Sequence, residues 1–167
     1  MSKTIIILII STALFNSSLI GQPRAGGFQP PDFDAEKAAG IVIYDYEKVV
    51  KKLKVKDETK AKDIAQAIYE YNIKMDEMVM ENGVTLQNLE DEFQRNVQIA
   101  IQNRDRSKMN GVKNEIQQTI PPIRMKTNQE QEKLDEAMKS ILDEKQFDKW
   151  VKYQKSQRSS EFERQIN

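Results

Sequence analysis

Apolar residues recur at three- and four-residue steps through most of the chain between residues 34 and 158, and this period restricts the fold more than any other feature. An α-helix has 3.6 residues per turn, so such steps place the apolar side chains on one face. Hydrophobic residues make up 38% of the chain and charged residues 31%, which suits helices with a single buried stripe. The sequence therefore predicts an all-α, elongated protein of about four to six helices with short joints.

The first predicted helix begins at Asp32 or Asp34, either of which can cap a helix start, and it ends near Leu53. Residues 41–44 are contiguous and β-prone, and a glycine precedes them, so a short strand is an alternative there. No second β-prone run is present to pair with such a strand, so the helix is favoured.

A second helix is predicted from an N-cap at Asp57 to about Glu81. Asn82-Gly83 predicts its end, because glycine tolerates the left-handed conformation at a helix terminus. Thr85 can then cap a third helix.

The second half of the chain has an open question and a strong stop signal. Around Gly111 the pattern fits either one kinked helix or two helices. Pro121-Pro122 predicts an internal stop, because proline lacks the backbone N–H and restricts the residue before it. Further helices are expected over 127–141 and after Leu142.

The N-terminus has the pattern of an export signal. Lys3 precedes an apolar run over 4–15, and polar residues follow at 16–18. A run of about twelve residues fits a signal-peptide core but is shorter than the ~20 that span a bilayer. We expect residues 1–21 to be cleaved after Gly21, giving a periplasmic protein without an integral membrane span; an uncleaved anchor is the alternative.

The rest of the chain divides into three parts. Residues 22–33 are rich in glycine and proline, which predicts a flexible linker. The helical domain is expected over 34–158, and the tail at 159–167 is expected to fray.

The composition excludes several chemistries. The chain has no histidine and no cysteine, so neither a Ser-His-Asp nor a Cys-His arrangement can be built. The same absence removes the usual ligands of zinc and copper. We therefore expect no enzyme activity, no metal site and no cofactor. Lys plus Arg number 26 and Asp plus Glu number 26, so no long-range field attracts nucleic acid.

Tyr69, Tyr71, Met75 and Met78 form a candidate client-binding surface. Tyrosine and methionine are common at adaptable apolar binding surfaces. The favoured interpretation is nevertheless that one tyrosine of the pair lies in the core while the other is half exposed.

The segment before the last helix has the form of a capping box with an apolar staple. Asp143 can accept from the backbone N–H of Gln146, and the Gln146 side chain can accept from the N–H of Asp143. Leu142, just before the cap, can pack against Phe147. These roles are structural and require no catalytic function.

The segment Leu142–Gln146 resembles the LTxxQ motif of the Spy/CpxP-like periplasmic proteins, with Asp143 in place of Thr. In that family the motif occurs twice, before an early helix and before the last. Leu53–Lys60 lies where the first copy belongs, and its matching positions are Val55 for Leu, Lys56 for Thr and Thr59 for Gln.

The resemblance implies a thin, curved helical homodimer in the periplasm. Members of the family bind unfolded proteins without ATP or act as adaptors that restrain an envelope-stress sensor. A metal-binding branch uses histidine, which this chain lacks. The competing hypothesis is a structural or adaptor helix bundle with one dedicated envelope partner.

Overall fold

Two long helices form the body of the protein, and three shorter ones pack on them. The computed structural model describes residues 33–104 and 107–158, and these contain helices and no strand. The prediction of an all-α, multi-helix protein is confirmed. The helices are α1 (Ala35–Ala38), α2 (Tyr46–Leu53), α3 (Glu58–Asn103), α4 (Lys108–Ile141) and α5 (Glu144–Arg158). The predicted signal peptide, nearly all of the linker and the predicted tail lie outside the described residues.

Helices α3 and α4 run antiparallel. Their 46 and 34 residues span about 69 and 51 Å at 1.5 Å per residue. Lys126 of α4 lies 3.8 Å from Glu81 of α3. Farther along, Glu115 of α4 faces Glu92 of α3, and the hydrogen bond between their side chains raises the pKa of Glu115. Helix α3 ends at Asn103 and α4 begins at Lys108, so Gly111 lies inside α4.

The core follows the buried faces of α3 and α4 and is completed by the short helices. Trp150 of α5, Tyr44 and Leu53 are among its largest fully buried side chains. Phe33, which the sequence assigns to the flexible linker, is also buried, with its ring centroid 4.9 Å from that of Phe93. The ordered domain therefore includes the last residue of the predicted linker.

The predicted helix over residues 34–53 is wrong, and so is its strand alternative. The α1 helix ends at Ala38 with Ala39 as its C-cap, and Gly40 follows with a φ of +80°. Ile41 N–H donates to Glu36 O and Gly40 N–H donates to Lys37 O, which is the Schellman arrangement that terminates a helix. Residues 41–45 form neither helix nor strand, and Asp45 caps the start of α2. We call residues 33–45 the strap.

The predicted stop at Asn82-Gly83 is wrong, because α3 continues through it, and Thr85 caps no helix. A glycine inside a helix costs about 1 kcal/mol relative to alanine. Burying Leu86 and Leu89 against the core returns about 1.5–3 kcal/mol for each side chain. Tertiary burial therefore outweighs the local preference.

Pro121-Pro122 is likewise inside α4, so the predicted stop is wrong. The two prolines remove the N–H donors for the carbonyls of Gln117 and Gln118. All four residues are exposed, so water can satisfy these carbonyls. The opposite face of this stretch buries Ile116, Ile120 and Ile123.

Candidate functional site

The four residues of the predicted client-binding surface do not come together at the surface. Tyr71 is 4% exposed and Met75 is fully buried, so both belong to the core. Met78 is partly buried and packs against the core. Only Tyr69 is exposed, at 62%. The physical reason is the helical period: Tyr71 and Met75 are four residues apart and share the face of α3 that packs on the core.

A different set of apolar side chains is exposed on α3. Tyr69, Ile73, Met80 and Val84 are 62%, 37%, 87% and 76% exposed. At 100° per residue these four positions fall within about 60° of the helix circumference. We call them the apolar stripe. It lies on the face away from the one that packs on the core, and it leaves four large side chains in contact with water.

An open groove of about 700 Å³ adjoins the C-terminal half of the apolar stripe. Met80 and Val84 belong to both features. The other side of the groove is formed by the strap, through Phe33, Asp34 and Glu36. Gly83 lies in the groove wall, where its lack of a side chain widens the space. The groove and the stripe therefore form one continuous surface.

The strap is held on α3 by two side chains that bind its backbone. The Glu90 carboxylate accepts a hydrogen bond of 2.6 Å from Ala35 N–H, at the start of α1. The Asn72 amide makes two bonds to Tyr44: its oxygen accepts from the N–H at 3.0 Å, and its nitrogen donates to the carbonyl at 2.8 Å. Asn72 thus supplies hydrogen-bond partners for the backbone N–H and carbonyl of Tyr44, as a neighbouring strand would.

The strap is held on α4 by two more side chains at the end of α1. Arg124 Nε donates to the Ala38 carbonyl at 2.8 Å. Thr127 Oγ1 donates to the Ala39 carbonyl at 2.8 Å and is fully buried. A Cβ atom on Gly40 would lie only 2.8 Å from the same Thr127 oxygen. The close approach therefore requires glycine at this position.

Beneath the strap, a polar cluster joins α4 to α5. Asp135 Oδ1 accepts hydrogen bonds from three side chains of the cluster. The donors are Gln131 Nε2 at 3.0 Å, Trp150 Nε1 at 2.9 Å and Gln154 Nε2. Since these donors belong to buried residues, the carboxylate satisfies groups that would otherwise lie unpaired in the core.

Two tyrosines connect this cluster to the strap and to α3. The Tyr44 hydroxyl donates to Gln131 Oε1 at 3.0 Å, and its ring centroid lies 5.3 Å from that of Tyr71. Burial raises the pKa of both hydroxyls, and the charge of Asp135 adds to the rise. The positive charge of Arg158 opposes this rise in pKa. Within the described residues, no hydrogen bond of normal geometry is made by Tyr71 Oη or by Arg158 Nε and Nη2.

The segment before α5 has the hydrogen bonds of a capping box. Gln146 N–H donates to Asp143 Oδ1 at 2.9 Å, and Asp143 N–H donates to Gln146 Oε1 at 3.3 Å. Leu142 is buried beside this turn. At the α2–α3 joint, the cap of α3 is Asp57, which accepts from Lys60 N–H at 2.8 Å. Both segments that resemble the LTxxQ motif therefore contain the start of a helix.

The part of the chain that the structure describes contains no group of three His, Cys, Asp or Glu side chains placed to hold a metal ion. Within the same residues, no helix combines the length and the apolar character that a membrane crossing requires.

Comparison with known proteins adds no relative: no protein-family model, no curated protein and no solved structure matches this chain.

Proposed function

We propose that this protein is an exported, periplasmic helical binding protein that holds apolar segments of unfolded polypeptides without nucleotide. The observation that carries the proposal is the apolar stripe of Tyr69, Ile73, Met80 and Val84 on the outer face of α3. Contiguous exposed apolar patches commonly mark binding sites for other proteins.

The charges around the stripe favour weak and adaptable binding. Lys74 and Glu77 pair with each other at 2.8 Å on its flank, and Asp76 lies between its two halves. A client that covers one side chain completely gains about 1.5–3 kcal/mol, and one that covers it partly gains less. Contacts of this size hold a chain reversibly, so release requires no ATP.

The resemblance to the Spy/CpxP-like proteins supports the same proposal. It places such proteins in the periplasm, where clients must dissociate either because they bind weakly or because they fold. The helix-starting segments at Asp57 and Asp143 are the positions that carry this resemblance. The homodimer that the resemblance implies belongs to the proposal too.

The direct test follows light scattering from a chemically unfolded, unrelated client diluted into buffer with the purified protein. We expect suppression of aggregation at a few-fold molar excess, in both low and physiological salt. Met80→Lys should weaken suppression severalfold. The matched control is Met125→Lys, which makes the same change at a methionine of α4 that is 66% exposed. Equal activity of the two variants would show that the stripe is not the binding surface.

The second candidate is a dedicated adaptor that binds one envelope protein through the same stripe. The observation that favours it is the fixed spacing of the stripe residues on one continuous helix, since helices often bind grooves through such anchors. Affinity capture from envelope extracts separates the two functions. An adaptor retains one protein in defined proportion and leaves the aggregation of unrelated clients unchanged.

A further inference from the structure

The apolar stripe has an internal two-fold pattern. Tyr69 and Val84 lie at equal distances from the point midway between Asp76 and Glu77, and so do Ile73 and Met80. When two copies of α3 pair antiparallel about this point, Tyr69 faces Val84 and Ile73 faces Met80. The apolar side chains of one copy therefore meet apolar side chains of the other along the whole stripe.

The pattern continues beyond the apolar residues. The next pair outward is Gln66 with Gln87, and the next is Lys62 with Asp91. All four are exposed, and at 100° per residue they fall in the same 60° sector as the stripe. Antiparallel pairing would place amide against amide and a positive charge against a negative one. Neither Lys62 nor Asp91 forms an ion pair within the described chain.

Gly83 supplies an independent observation. It interrupts helix propensity in the middle of α3, yet no close contact within the described chain requires a glycine there. A Cβ atom at this position would meet only Val79 Cγ1, at an ordinary distance of 3.7 Å. The space that the glycine leaves is part of the groove beside Val84 and Gln87.

The two-fold axis directs an aromatic ring into this space. Pairing about such an axis brings the same edge of each helix together. On α3 the groove and Tyr69 lie along the edge of the stripe nearer the strap, and in the antiparallel arrangement Tyr69 of one copy is level with Val84 of the other. The ring would enter the groove next to Gly83, and symmetry fills both grooves.

We propose that a second copy of this chain covers the apolar stripe, with α3 against α3 antiparallel and Tyr69 of each copy in the groove beside Gly83 of the other. This pairing rests on the homodimer that the proposed function includes, and it specifies the face and the register of that dimer. Because the pairing occupies the stripe, a client and a second copy exclude each other there.

The centre of the pairing is repulsive. Asp76 and Glu77 flank the two-fold axis, so these carboxylates of both copies gather there, and within the described residues no cation pairs with Asp76. Each Glu77 has Lys74 as its own counter-charge at 2.8 Å. Like charges at the midpoint weaken the dimer and make its affinity depend on salt. Removing the Asp76 charge should therefore strengthen it.

The first test is zero-length cross-linking of the purified protein with a carbodiimide, followed by peptide mass spectrometry. Lys62 and Asp91 are 29 residues apart on one continuous helix, which is about 44 Å. An amide between these two side chains can therefore form only between two copies. We expect this cross-link in the dimer fraction. A dimer fraction whose cross-links join other faces would overturn the proposed pairing.

The second test is sedimentation equilibrium of charge variants, without any client. Lys62→Glu and Asp91→Lys should each raise the dimer dissociation constant at least fivefold. The double variant should return it to within about twofold of the parent, because the opposite charges face each other again. Asp76→Asn should lower it several-fold. A double variant as weak as the single ones, or a parent that stays monomeric at high micromolar concentration, would overturn the proposal.

The third test uses the glycine. Gly83→Ala should leave the protein folded and weaken the dimer at least fivefold, because a methyl group narrows the groove that receives Tyr69. Gly111→Ala is the control, since nothing lies within 4 Å of the added atom and the position is outside the stripe. Unchanged dimerisation in Gly83→Ala would exclude the groove contact. These measurements contain no client, so their failure leaves the proposed binding of unfolded clients to its own light-scattering test.

Discussion

Replacing Gly40 with alanine tests how the strap is fixed to α4. Gly40 has a φ of +80°, and a non-glycine residue pays about 1–2 kcal/mol for the left-handed region. The added Cβ would lie 2.8 Å from Thr127 Oγ1, so the hydroxyl must move away from the Ala39 carbonyl. Losing that hydrogen bond costs about 1 kcal/mol.

The sum of these effects is reduced by one opposing effect. Alanine restricts the unfolded chain more than glycine does, which favours folding by about 0.4–1 kcal/mol. We therefore expect Gly40→Ala to lower the free energy of unfolding by about 2 kcal/mol. Urea denaturation followed by the fluorescence of Trp150 measures this, because the only tryptophan is buried in the core beneath the strap.

Two comparisons make the test specific. Gly111→Ala, in the open interior of α4, should stabilise the protein by up to about 1 kcal/mol. In a Thr127→Ala background the clash with the hydroxyl is absent, so Gly40→Ala should cost less than in the parent. The difference is a coupling energy between the two residues. A Gly40→Ala variant as stable as the parent, or equal costs in both backgrounds, would refute the reasoning.

Three further predictions concern stability. Asp135→Ala should cost about 3 kcal/mol in urea denaturation, because buried donors lose their acceptor. Asp143→Ala should cost about 1 kcal/mol of stability, the usual size of a lost N-cap. Gln146→Ala should cost less, because its bond of 3.3 Å is longer than the 2.9 Å bond to Asp143. The two changes should couple, because both residues belong to one capping box. Burial raises the pKa of Tyr44 and Tyr71 above the ordinary value of 10.0, so the unfolded chain loses these protons at a lower pH than the folded chain does. The free energy of unfolding should therefore stay constant from pH 7 to pH 9 and fall as pH rises above 10.

Each of these predictions has a matched comparison. Glu136→Ala changes an exposed neighbour of Asp135 and should have little effect on stability. If both capping-box variants unfold at the parent's urea concentration, the box does not stabilise α5. For the tyrosines, Tyr71→Phe should reduce the loss of stability at alkaline pH, whereas Tyr69→Phe, at the exposed stripe, should leave it unchanged. A pH profile that Tyr71→Phe does not alter would exclude burial of its hydroxyl as the cause.

The helix starts were predicted correctly where their cause is short-range. Asp34, Asp57 and Asp143 each bond a backbone N–H three residues later. Such a cap needs only its own turn, so the sequence contains all that determines it. The start of α5 after Leu142 follows from the same reasoning.

The candidate site was predicted only in part, because exposure depends on which face of a helix packs on its neighbours. Tyrosine and methionine content around residues 69–78 indicated a surface, yet Tyr71 and Met75 are buried and only Tyr69 is exposed. The missed members were Ile73, Met80 and Val84. Their spacing from Tyr69 is four, eleven and fifteen residues, and this helical period was a signal available in the sequence.

The amino-acid sequence by itself determined the helical class, the capping residues and the exclusion of histidine- and cysteine-based chemistry, because each depends on local period or composition. Tertiary structure decided the continuity of α3 through Gly83 and of α4 through Pro121-Pro122, where burial on one face outweighs a local cost. It also decided the strap, whose backbone is hydrogen-bonded by Asn72 and Thr127 from distant parts of the chain. A segment that takes its hydrogen bonds from residues tens of positions away has no local pattern from which they can be predicted.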